Sequence, residues 1–252
     1  LRLARRQGPS PSLAAFYSSA GILMGAVGLK GLAEHFCRQA QNMAEELQDA
    51  AAIARCQILS SVAMRFRGQD SLAARNTWRC LLERGAWLPT LDYLFGVVDL
   101  THNYHFRGLL GKAYETAQLG EQRVRQDHYP FVLTSTLSPV YSAVGRHAEA
   151  RHYKEICKRY FDNDSTPLSR SAYLVSSLHA EMERGELGPE VESLIEQHRR
   201  LGLNPDRGPL PLRTFRILEA YVRYRQASTD RSRLAQFRAA LARLGRHRSH
   251  SL

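Results

Sequence analysis

The chain has 252 residues, of which 44% are hydrophobic and 23% charged, and its formal net charge is +11. These values are typical of a soluble globular protein that is long enough to bury a hydrophobic core. The longest apolar run, residues 20–29, is about half of the roughly 20 residues that a membrane-spanning helix needs, so the sequence excludes such a helix.

Residues 1–11 predict a linker or disordered segment. Arg2, Arg5 and Arg6 are followed by a Ser-Pro-Ser break at residues 10–12 instead of an apolar run. A secretory signal peptide needs that run, so we expect a cytoplasmic protein. The break itself predicts the N-cap of the first helix. Because the chain opens on Leu1, we also expect it to be a piece of a longer protein.

Glycines recur along the chain at a nearly constant interval. They are Gly28, Gly68, Gly108, Gly145 and Gly185, at spacings of 40, 40, 37 and 40 residues. A small residue precedes the first four by seven positions: Gly21, Ser61, Thr101 and Ser138. An alanine follows the same four by five positions: Ala33, Ala73, Ala113 and Ala150. This pattern predicts a repeated hairpin, in which a helix A, a tight turn at the glycine and a helix B follow one another.

The small residues have a predicted role in packing. A glycine inside a helix costs about 1 kcal/mol relative to alanine, and a sequence that accepts this cost usually gains a close approach of two backbones. Gly21 on helix A and Ala33 on helix B are the expected contact points of the first hairpin. The fifth hairpin departs from the pattern, because Glu190 stands where alanine is expected.

Breaks in the pattern divide the chain. Residues 159–170 and 199–213 are rich in proline and polar residues and predict loops. We therefore expect about five hairpins over residues 12–206 and a basic helical hairpin or cap over 207–252. Pro139 falls inside a predicted helix A, where it would free the Ser135 carbonyl and kink the helix.

In the first hairpin, the order of large and small residues resembles the tetratricopeptide repeat. The matching residues are Tyr17, Gly21, Met24, Gly28, Ala33, Cys37 and Ala40. The resemblance covers roughly residues 12–200 and implies an all-α fold, a right-handed superhelical array of antiparallel helix hairpins. Two features depart from the family pattern: the period is near 40 residues instead of 34, and no proline closes helix B.

The long, arginine-rich repeats are similar to the helical arrays of large bacterial signalling proteins. Residues 33–69 look most like that group. In those proteins a STAND-type or AAA-like ATPase precedes the array and an effector domain follows it. The resemblance implies a non-catalytic scaffold for protein–protein interaction, an internal regulatory module of a larger signalling or biosynthetic protein.

No motif indicates catalysis. The sequence lacks a phosphate-binding glycine loop and the common hydrolase and metalloprotease signatures. His102 and His105 are three residues apart with no third ligand in view, so we predict neither a metal nor another cofactor. The four cysteines, Cys37, Cys56, Cys80 and Cys157, have no metal-binding spacing and are expected to be buried free thiols in a reducing compartment.

The positive charge is concentrated at the C-terminal end. Residues 207–252 contain eleven arginines against Glu219 and Asp230, a net charge of +9, so residues 1–206 carry +2. One interpretation is a capping helix with a solvated outer face. The alternative is a nucleic-acid-binding repeat, whose affinity would fall steeply with salt.

The remaining expectation is binding by shape. In the family that the chain resembles, the A helices line a concave groove. The repeat alignment places seven side chains there as candidates for contact with a partner: Arg55, Arg65, Phe95, His102, His105, Ser135 and His179. Arginine, aromatic and imidazole groups suit a peptide with acidic or polar groups.

Overall fold

The computed structural model describes residues 8–124, 131–163, 166–185, 187–203 and 210–245. Within these ranges the chain is all-helical, with no strand, as the sequence predicts. It divides into two compact units, Leu1–Gln126 and Asp127–Leu252. The predicted boundary between residues 206 and 207, and residues 1–7 of the predicted linker, lie outside the described residues.

The first unit contains six described α-helices. They are α1 (Pro11–Ala26), α2 (Lys30–Glu46), α3 (Ala50–Phe66), α4 (Asp70–Arg84), α5 (Thr90–Phe106) and α6 (Leu110–Arg123). A short 3-10 helix, Gly85–Trp87, precedes α5. Ser10 caps α1 by accepting a hydrogen bond from the Leu13 amide, so the predicted N-cap is confirmed.

The second unit contains another six described α-helices. They are α7 (Phe131–Ala143), α8 (His147–Asn163), α9 (Pro167–Arg184), α10 (Pro189–Arg200), α11 (Leu210–Thr229) and α12 (Leu234–Gly245). Thr166 caps α9 through its hydroxyl, which accepts from the Ser169 amide. The odd-numbered helices from α1 to α9 are the A helices of the sequence pattern, and the even-numbered helices from α2 to α10 are the B helices.

All five predicted turn glycines adopt the left-handed conformation. Their φ angles are 84° at Gly28, 76° at Gly68, 71° at Gly108, 79° at Gly145 and 77° at Gly185. In the first turn the Gly28 amide donates to the Gly25 carbonyl, and the next amide, of Leu29, donates to the Met24 carbonyl at 2.9 Å. This Schellman arrangement satisfies the last carbonyls of helix A and turns the chain straight into helix B. The predicted hairpins are therefore confirmed.

Gly21 lies in the contact between α1 and α2. A Cβ atom at this position would stand 2.6 Å from the Cys37 sulfur and 3.2 Å from the Ala33 carbonyl oxygen. A Cβ at Gly25 would stand 3.2 Å from the Phe66 Cβ on α3. The predicted contact of Gly21 with Ala33 is confirmed, and the glycines of α1 also admit the next A helix.

Each A helix in the first unit packs on its own B helix and on a neighbouring A helix. One cluster joins α1, α2 and α3 around Tyr17, and α3 contributes Ala52 and Cys56 to it. A second cluster joins α3, α4 and α5, and here α3 contributes Ala54 and Ile58. Helix α3 therefore belongs to two successive cores, as expected for a helical repeat.

The second unit is built around α9, which packs on α7, α8, α10 and α11. Its core contains Leu178 of α9, Ile195 of α10 and Val222 of α11, all of them fully buried. The last two helices, α11 and α12, pack on one another. Residues 210–245 therefore form a sixth pair of helices.

His198 of α10 is a buried neutral histidine in this core. It is 3% exposed, its ring stacks on Phe215 with centroids 3.6 Å apart, and its Nε2 lies 2.8 Å from the Ser171 hydroxyl. Burial lowers the pKa of His198 to about 4, although the nearby Glu219 carboxylate acts in the opposite direction. The native fold therefore disfavours the protonated ring.

We expect His198 to cost the protein about 2 kcal/mol of stability between pH 7 and pH 5. Its pKa is 6.5 in the unfolded chain and about 4 in the fold. The unfolded state binds the extra proton within this window, so stability falls as the pH falls. His198→Gln cannot bind that proton and should have a weaker pH dependence, although its stability at pH 7 is lower. Urea unfolding of both chains at the two pH values measures the difference, and equal pH dependence would contradict the assignment.

Candidate functional site

Two of the predicted partner-binding residues are engaged by aspartates on the next A helix. Arg55 of α3 donates through Nε to Asp92 of α5 at 2.8 Å, and Arg65 of α3 pairs with Asp99 of α5. The first pair is partly exposed, whereas Asp99 is 9% exposed. Burial raises the pKa of the Asp99 carboxyl, and the adjacent Arg65 guanidinium opposes that shift. Both arginines therefore join α3 to α5 and already hold a carboxylate.

Phe95, His102 and His105 lie on α5, and the structure separates their environments. Phe95 is 39% exposed, His102 is half-buried, and His105 is buried. Phe95 and His102 share one face of the helix with Leu91 and Phe106, because positions 91, 95, 102 and 106 fall within about 60° around a helix of 3.6 residues per turn. Leu91 and Phe106 are also exposed. We call these four residues the α5 stripe.

The other two predicted residues, Ser135 and His179, lie in the second unit on α7 and α9. Pro139 lies inside α7 as predicted and has no amide hydrogen for the Ser135 carbonyl. That carbonyl accepts a hydrogen bond of 2.6 Å from the Ser176 hydroxyl of α9. His179 is buried, and its Nε2 lies 3.2 Å from a Glu183 carboxylate oxygen on the same helix. These two contacts, Ser176 with Ser135 and His179 with Glu183, both lie within the second unit.

A cleft that the sequence reading missed lies in the first unit, between the B helices α2 and α4. Both helices pack on α3, which forms the floor. The cleft has a volume of about 520 Å³, within the usual range for ligand sites. Its floor includes Ser60 and Ser61, and Cys37 and Cys80 lie along the walls. These short side chains leave the space open, and we call it the α2–α4 cleft.

The α2–α4 cleft carries more positive than negative charge. Its lining includes four arginines and two glutamates: Arg38, Arg67, Arg79, Arg84, Glu34 and Glu83. Glu34 lies 3.1 Å from Arg38 and 3.4 Å from Arg67, and Glu83 lies 2.7 Å from Arg79. Arg84 has no carboxylate or hydrogen-bond partner among the residues that the structure describes. The spacing of Ser60 and Ser61 before Gly68 is the one sequence signal that could have drawn attention to this floor.

All four cysteines carry free thiols, and three of them are buried, as predicted; Cys37 is half-buried. Burial raises the pKa of Cys80 to about 11 and that of Cys157 to about 12. Burial also raises the pKa values of Cys37 and Cys56. The thiols are therefore protonated near neutral pH and are poor nucleophiles.

Lys154 explains why the fifth hairpin departs from the repeat. Its ammonium lies 2.8 Å from the buried Glu181 carboxylate and 2.6 Å from Glu190. Arg184 lies 3.0 Å from the other Glu181 oxygen. Glu181 occupies the place of Met24 in the first repeat, and Glu190 that of Ala33. Because Lys154 holds both carboxylates, the two departures compensate one another.

Several arginines of the basic C-terminal region have internal carboxylate partners. The pairs are Arg223–Glu192, Arg233–Glu192, Arg243–Glu219 and, from α10, Arg199–Glu219. Arg216 donates to the Arg243 carbonyl oxygen at 2.7 Å. Arg231 and Arg238 are exposed. The side chains of Arg207, Arg213, Arg246 and Arg248 lie outside the described part of the chain. Part of the charge that suggested nucleic-acid binding thus stabilises the fold.

Comparison with known proteins finds no matching family model, no matching curated protein and no matching solved structure. None of the helices in the described ranges combines the length and the apolar character needed to cross a membrane.

Proposed function

We propose that the chain is a non-catalytic scaffold that binds a segment of a partner protein on its A helices. In this proposal the hairpins are tetratricopeptide-like, stack as a right-handed superhelical array, and act as a regulatory module of a larger signalling or biosynthetic protein. The repeated Schellman turns and the shared cores of successive hairpins support it. Such arrays offer extended surfaces made of neighbouring helices.

The α5 stripe is the observation that carries the proposal. Leu91 is 68% exposed, Phe106 47% and Phe95 39%, although all three lie on a helix whose opposite face is buried. Aligned apolar side chains on a solvent-facing helix face are typical of protein interaction sites. Since Arg55 and Arg65 already hold aspartates, we expect the bound segment to be apolar at this surface.

Selection of random peptides on the purified chain tests this function. We expect enriched peptides to bind with micromolar affinity and to lose at least about tenfold in affinity on Phe95→Ser, because a buried aromatic anchor contributes more than 1 kcal/mol. Leu82→Ser is the matched control, since Leu82 is 64% exposed on the B helix α4. Fluorescence anisotropy measures both affinities. Failure to enrich any peptide, or equal effects of the two substitutions, would refute the proposed surface.

The nucleic-acid alternative is less well supported. Glu192 and Glu219 each hold two arginines, which lowers the free positive charge that phosphate groups would need. Arg231 and Arg238 are exposed and could contact phosphate groups. Nucleic-acid binding therefore stays a prediction, and protein binding is the preferred function.

A further inference from the structure

The α2–α4 cleft contains hydrogen-bond donors that have no acceptor among the residues that the structure describes. Arg84 lines it without a partner among the described residues, and the Arg67 Nε atom is buried without a hydrogen bond. The Ser60 hydroxyl is buried as well, with the Cys37 thiol as its neighbour. Both glutamates in the lining already accept from arginines. The groups left over therefore call for an anionic, acceptor-rich ligand.

The shape of the cleft favours a chain over a small anion. Along α3 the lining runs from Gln57 to Arg67, ten residues or about 15 Å at 1.5 Å per residue. An extended peptide of about four residues has this length. Gln57 on the floor and Gln41 and Asn76 on the two walls present side-chain amides. Gln41 already donates through Nε2 to Glu45 at 2.7 Å, and Asn76 donates through Nδ2 to the Met64 sulfur at 3.6 Å. Each amide keeps a second N–H and a carbonyl oxygen for a peptide backbone.

We propose that the α2–α4 cleft binds a short extended peptide with an acidic side chain, and that Arg84 receives the carboxylate. The three amides pair with the peptide backbone, and the planar Arg84 guanidinium forms a charge-assisted contact with Asp or Glu. This proposal adds a second surface, formed by α2, α3 and α4, and depends on the proposed function only in that both ligands are protein segments. The sequence predicts an acidic or polar peptide on the A helices, whereas this proposal places the acidic peptide between the B helices α2 and α4.

The test uses an array of capped hexapeptides, each containing one Glu, together with twins in which Gln replaces that Glu. The full chain should bind its best Glu peptide about tenfold more tightly than the Gln twin at low salt, and the preference should shrink as salt screens the contact. Arg84→Met should abolish the preference. Arg75→Met is the matched control, because Arg75 is an exposed arginine on the same helix that does not line the cleft.

A charge-reversal variant distinguishes loss of the Arg84 contact from misfolding of the protein. Arg84→Glu should transfer the preference from the Glu peptide to its Lys counterpart, which an unfolded chain would not do. Equal binding of Glu and Gln peptides, or equal losses in the Arg84 and Arg75 variants, would overturn the proposal. Inorganic phosphate is the small-anion control. If phosphate displaces the Glu peptide, binds as tightly as the peptide does and loses affinity on Arg84→Met, the cleft binds a small anion and the proposal is overturned.

The two proposed surfaces can fail separately. Phe95→Ser alters the α5 stripe and should leave the Glu preference unchanged. If the Glu preference is absent while Phe95-dependent peptides still bind, the cleft proposal fails and the proposed function stands. If the Glu preference is present and no Phe95-dependent peptide is found, the α5 surface fails instead.

Discussion

Arg65→Met is expected to lower the free energy of unfolding by about 3 kcal/mol at neutral pH, because it leaves the buried Asp99 carboxylate without its partner. The Arg65 side chain is 15% exposed and that of Asp99 is 10% exposed. Arg65 also donates to the Asp99 carbonyl oxygen at 3.3 Å. Chemical denaturation measures the loss, which should become smaller at acidic pH as the Asp99 carboxyl takes up a proton.

Two controls separate this buried pair from a surface one. The double change Arg65→Met with Asp99→Leu removes both charges and should restore most of the stability, since two apolar side chains can replace a buried ion pair. Arg55→Met breaks the partly exposed pair with Asp92 and should cost less than about 1 kcal/mol. A loss on Arg65→Met no larger than that on Arg55→Met would show that the Arg65–Asp99 pair does not stabilise the contact of α3 with α5.

Gly21→Leu is expected to destabilise the protein by about 3 kcal/mol, because the first hairpin has no room for a side chain at this position. Even a Cβ would stand 2.6 Å from the Cys37 sulfur. Gly21→Ala should therefore also destabilise, and less so in a Cys37→Ala background, where the sulfur is absent. Thermal and denaturant unfolding of the unchanged protein, Gly21→Ala, Cys37→Ala and the double variant measures the coupling between the two positions.

Gly31 is the matched control for Gly21. It also lies in a helix, α2, but apart from the nearby backbone of that helix and the two chain neighbours no atom lies within 4 Å of a Cβ added there. Gly31→Ala should raise stability by about 0.5 kcal/mol, since alanine is the better helix former. If Gly21→Ala and Gly31→Ala had the same effect, close packing would not be the reason for Gly21.

The local features of the fold could be predicted because they depend on residues a few positions apart. A left-handed residue that ends a helix favours glycine, so the turn at Gly28 is visible in the sequence. The period of the glycines then extends the same argument to the other hairpins. The loss of a hydrogen bond at Pro139 follows from its chemistry, whereas Ser176 as the replacement donor depends on how α9 packs on α7.

The candidate sites were harder to predict, because they depend on side chains from different repeats. Asp92 is 37 residues from Arg55, and Asp99 is 34 residues from Arg65, so no local pattern joins them. The sequence placed these arginines correctly on the A helices, and their partners became visible only in three dimensions. The α2–α4 cleft lies between two B helices that both pack on α3. The periodicity of a single helix does not show whether such a space remains between its neighbours.

Because α3 contributes to two hydrophobic clusters, it affects how the first unit unfolds locally. Ala52 and Cys56 of α3 belong to one core and Ala54 and Ile58 to the next, so melting α3 exposes both at once. A helix that contributes to two cores is held on two sides, whereas α1 contributes residues to only one of these two clusters. Amide hydrogen exchange should therefore be slower in α3 than in α1, and a local opening of α1 should leave α3 folded.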